Sequence, residues 1–77
     1  MKKDEIRAVI ENTLKQGSKM PGVFSLAKIM SLKMKLEACS TTDEVVRTLE
    51  DNRDFVCTSF GLNSNTYSDG IAIIKGL

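Results

Sequence analysis

Cys39 and Cys57 are the two thiols of the chain, and the sequence places nothing beside them to activate either one. The 77 residues contain no histidine. That removes the commonest general base, the Ser–His and Cys–His nucleophile pairs, and every histidine metal site. Two cysteines cannot complete a four-ligand zinc site, and no C-x-x-C occurs. They read as small free thiols that pack like apolar residues, not as a disulfide framework.

The oxygen-rich run Asp51-Asn52-Arg53-Asp54 lacks the ligand spacing and central glycine of a calcium loop, so it reads as a solvated turn. No glycine-rich phosphate loop is present. No pair of carboxylates stands out as acid and base, and a domain of this size is expected to leave little room for a water-excluding cleft. The chain is therefore expected to be non-enzymatic, with no catalytic, metal-binding or cofactor-binding residues.

Charge points to surfaces more than to chemistry. Net charge is +1. Residues 1–35 carry eight Lys/Arg against three acids, a net +5, and residues 36–77 carry three against seven, a net −4. The plain reading is two solvated faces; the halves can also pair within the fold or between copies. A lysine group in the basic half, Lys28, Lys33 and Lys35, could contact nucleic-acid phosphates. The stretch Phe24–Ala38 is superficially similar to helix-turn-helix sequences, with Ala27 followed four residues later by the polar Ser31. It lacks a turn glycine and the apolar support a recognition helix needs, and no Arg occurs from Ala8 to Val46. Nucleic-acid binding is the alternative reading, not the leading one.

The elements that would carry such surfaces follow from periodicity. Ile6, Val9, Ile10 and Leu14 share one helical face, with Asp4 and Glu5 at its start and Lys15 at its end. Gly17 is expected to close that helix in the left-handed conformation. Gly17–Gly22 reads as a loop broken by Pro21, with Met20 packing inward.

Residues 23–39 pose the main ambiguity. Met30–Ala38 alternates apolar and polar as a strand does, yet its residues are helix formers and the segment is long for a strand. Taken as a helix it carries two apolar stripes. Ile29, Leu32, Leu36 and Cys39 form one; Val23, Ala27, Met30, Met34 and Ala38 form the other. A helix so widely apolar is expected at the centre of a bundle.

Thr41 and Glu44 have capping-box spacing, and Val45, Val46 and Leu49 form the buried face behind them. Glu50–Asp54 reads as a break between two short helices or as an exposed turn of one. Gly61 followed by Leu62 has the form of a Schellman stop. Asn63, Ser64 or Thr66 can cap a last helix with Tyr67, Ile71 and Ile74 on one face, although the β-branched end leaves a strand over residues 71–75 open.

The expectation is a single all-α domain over residues 1–77, a bundle of four to five short helices around a central helix 23–39. No apolar run is long enough for a membrane span and the start lacks a signal-peptide core, so a cytoplasmic protein with no membrane partner is expected. The function class that fits is protein–protein interaction through apolar helix surface, with a partner or with a second copy as a homodimer. Met30, Met34 and Leu36 are the candidate contact residues, flanked by Lys33 and Lys35. Methionine is common at adaptable binding surfaces.

Overall fold

In the computed structural model, which describes all 77 residues, five helices follow one another. They are α1 (Lys3–Lys15), α2 (Val23–Ala38), α3 (Thr42–Asp51), α4 (Arg53–Phe60) and α5 (Ser64–Lys75). The all-α bundle is as expected, and the alternating stretch Met30–Ala38 lies wholly within α2. The break in Glu50–Asp54 falls at Asn52, and residues 71–75 are helical.

The central helix is α5, not the helix over residues 23–39. Tyr67, Gly70, Ile71 and Ile74 follow the i, i+3, i+4, i+7 pattern and are all buried, and α5 packs against α1, α3 and α4. Gly70 permits this placement. A Cβ there would run into the side chain of buried Thr13, so the glycine lets α1 and α5 approach closely. The Thr13 hydroxyl donates to the Val9 carbonyl at 2.8 Å and is satisfied within its own helix. By contrast α2 buries only Leu32 and packs mainly on α3. Width of apolar surface suggested a central position for α2; the second stripe instead faces outward.

Helix ends follow local chemistry. Thr41 Oγ1 accepts from the Glu44 N–H at 3.2 Å, as the capping box requires. The Glu44 carboxylate reaches one residue further back than expected, to the Ser40 N–H at 3.1 Å. Asn63 Oδ1 accepts from the Asn65 N–H at 2.7 Å and starts α5. Gly61 adopts φ +64°, and the Leu62 N–H donates to the Cys57 carbonyl at 2.9 Å, completing the Schellman stop.

Gly17 is not left-handed; Gly61 is the one residue with positive φ. Gly17 serves close approach instead, since a Cβ there would strike the backbone carbonyl of Phe60. The chain beyond it lies along the end of α4. Ser18 N–H donates to the Gly61 carbonyl at 3.1 Å and Lys19 N–H to the Phe60 carbonyl at 3.2 Å. These bonds satisfy acceptors that a helix C-terminus leaves open. Met20 does not pack inward; it is 86% exposed.

Candidate functional site

On α2, side chains advance about 100° per residue, which places Val23, Ala27, Met30 and Met34 within roughly 60° of one another. Ile29, Leu32, Leu36 and Cys39 lie on the other side of the cylinder. The inner stripe meets the core: Leu32 and Cys39 are buried, and Leu36 packs half-buried against them. The outer stripe meets nothing. Val23 is 75%, Met30 64% and Met34 71% exposed, and Ala27 and Ala38 are exposed with them. Leu26 flanks the stripe half-exposed, Phe24 stands 99% exposed at its start, and Met20 lies open in the loop before it.

Of the five residues named from sequence, Met30 and Met34 belong to this outer face. Leu36 belongs to the inner one. Lys33 and Lys35 are exposed, on opposite flanks of the helix. Lys28 shares the Lys35 flank, and its ammonium sits 4.3 Å from the centroid of the Phe55 ring. The three lysines therefore do not form one phosphate-facing surface. Met20, Val23, Phe24 and Leu26 were not singled out as contact residues. The available signal was an apolar first turn, Val23-Phe24, directly after Pro21-Gly22 and without a capping side chain.

Beneath α2 the inner stripe does not close fully onto α1. A cleft of about 300 Å³ runs between the two helices. Ile10 and Leu14 form its α1 wall, Ile29 and Leu36 its α2 wall, and Ile71 and Ile74 its floor. A domain of this size was expected to leave little room for a water-excluding cleft, and this one is larger than that expectation suggests. Two charged contacts bridge its mouth. Arg7 donates to both carboxylate oxygens of Glu37 at 3.0 and 2.9 Å, and Lys3 donates to the Glu37 main-chain carbonyl at 3.1 Å. The hydrogen bonds to Glu37 hold the Arg7 guanidinium above its ordinary pKa. This pair ties the basic half to the acidic half within one chain.

A second polar cluster fastens α3 and α4 to α5. Arg53 binds Glu50 at 2.8 Å, donates to the Ser64 carbonyl and to the hydroxyls of Ser64 and Ser68, and lies 5.1 Å from the Tyr67 ring centroid. Tyr67 donates its hydroxyl to the Leu49 carbonyl at 2.6 Å. Burial pushes its pKa well above the usual tyrosine value. Cys57 sits nearby as a free thiol, and burial raises its pKa against the opposing pull of Arg53. A raised pKa keeps the thiol protonated at neutral pH, the reverse of what a nucleophile needs. No helix is long and apolar enough to cross a membrane. The surface features left without a structural role are the outer face of α2 and the cleft under it. Comparison with family models, curated proteins and solved structures finds no match to this chain, so its functional reading rests on those two features.

Proposed function

We propose that the protein is a non-enzymatic interaction module whose contact surface is the outer face of α2, and that a second copy of the chain occupies that face in a two-fold dimer. The observation that carries this reading is the exposed stripe Val23, Met30 and Met34, with Phe24 and Leu26 exposed on its two flanks and Met20 in the loop before it. A contiguous exposed apolar stripe of this kind marks an interaction surface.

Charge favours antiparallel pairing of the two helices. Lys33 and Lys35 sit in the C-terminal half of α2, whereas the first turn of α2 is uncharged. A two-fold axis across Ala27 and Met30 sets each basic end against the partner's uncharged start and keeps the lysine pairs apart. Phe24 then lies over the end of the partner helix as an aromatic anchor.

The four methionines provide a direct test. In methyl-labelled protein, the Met30 and Met34 signals shift on dilution as the dimer dissociates, while Met1 stays fixed. Concentration-independent methyl signals at Met30 and Met34 would refute the pairing.

A further inference from the structure

We infer that the cleft between α1 and α2 binds a single-chain amphiphile, with its apolar tail against the core and an anionic head group at the mouth. The interior offers no free side-chain hydrogen-bond donor. Its two hydroxyl protons are already committed, Tyr67 to the Leu49 carbonyl and Thr13 to the Val9 carbonyl. No buried side-chain nitrogen or oxygen lacks a partner. A void lined this way repels water and gains from any aliphatic group that fills it. At roughly 30 Å³ for each water-sized group, the 300 Å³ holds about ten methylene-sized units.

The mouth selects the head group. Lys3, Arg7 and Lys33 line it against Glu11 and Glu37. Glu37 is occupied by Arg7 through both oxygens. Lys3 is bonded to a neutral carbonyl, and Lys33 takes part in none of the four ion pairs. Glu11 is likewise in none of the ion pairs, so with Arg7 and Glu37 neutralising each other the rim sets Lys3 and Lys33 against one carboxylate, an excess of one positive charge. That balance favours a carboxylate or a comparable monoanion over a cationic head.

Decanoate, decanol and decyltrimethylammonium, each below its aggregation limit, test this by calorimetric titration and by methyl chemical shifts. The expected result is saturable one-to-one binding of decanoate that moves the Ile10, Ile71 and Ile74 methyl signals, with decanol weaker and the cation weakest. Lys33→Glu, a change at an exposed site, weakens decanoate by about fivefold, the scale of one solvent-facing ion pair. It leaves decanol unchanged. Ile10→Phe narrows the cleft and weakens all three ligands, with helicity checked by circular dichroism. Equal binding of the three head groups, or shifts confined to Met30 and Met34, would overturn the assignment. So would absence of saturation. The paired change Met30→Gln, Met34→Gln lies outside the cleft and puts no charge beside Lys33, so it removes self-association while decanoate binding persists; the two readings therefore fail separately.

Discussion

Tyr67 concentrates several demands in one side chain: it is 4% exposed, its hydroxyl holds the Leu49 carbonyl, and Arg53 lies against its ring. Burial raises its pKa, so the folded state keeps the phenol proton more tightly than the unfolded chain does. The stabilisation is complete below about pH 10, the unfolded value, and is lost progressively as pH rises above it. Tyr67→Phe is expected to lower stability at pH 7 by about 1 kcal/mol through the lost hydrogen bond. It should also flatten the alkaline part of the stability curve, read from urea midpoints between neutral and strongly alkaline pH. Gly61 makes a separate demand. Its φ of +64° suits glycine, and an added Cβ would meet the Ser18 side chain. Gly61→Ala should cost about 1–2 kcal/mol in chemical denaturation without loss of helix content. This position was legible from Phe60-Gly61-Leu62 alone, because a Schellman stop is set by local sequence. The constraint on Gly17 was not, because it comes from the Phe60 carbonyl, forty-three residues away in the chain.

At the scale of elements, α2 is one helix with two different obligations. Leu32→Ala on the inner stripe should cost about 2–3 kcal/mol, at the low end for a core leucine because the site already borders the cleft. Met34→Ala on the outer stripe should change monomer stability by less than about 0.5 kcal/mol. Measuring both in dilute urea titrations separates the two faces. The two stripes themselves were legible, since spacing alone assigns Ile29, Leu32, Leu36 and Cys39 to one side and Val23, Ala27, Met30 and Met34 to the other. Which stripe faces the core was not legible. Apolar width says how much surface a helix offers, but burial depends on what the other helices can reach. Gly70 and Thr13 bring α1 onto α5, and that contact leaves α5 in the centre with α2 at the side. Leu36 lies on the stripe opposite Met30 and Met34, so the three do not form one contact face. The cleft was invisible for a related one: it is a gap between α1 and α2, and neither sequence segment records it.

For the molecule as a whole, shape and surface disagree in an informative way. The radius of gyration is 11.6 Å, close to the roughly 11.5 Å typical of 77 residues. Accessible surface is 5148 Å², against about 4,700 Å² for a monomer of 8.5 kDa. A chain this short has little core to spare, and pairing through α2 would add apolar burial that the monomer lacks. Dimerisation should therefore make thermal stability depend on protein concentration, with the midpoint rising by several degrees from micromolar to submillimolar protein. The most direct measurement is sedimentation equilibrium over that range for the wild-type chain and for Met30→Glu, Met34→Glu. The wild-type mass is expected to climb from 8.5 kDa to twice that value, and the double variant to remain at 8.5 kDa with unchanged helicity. A wild-type mass of 8.5 kDa at every concentration, or a double variant that still pairs, would contradict pairing through α2.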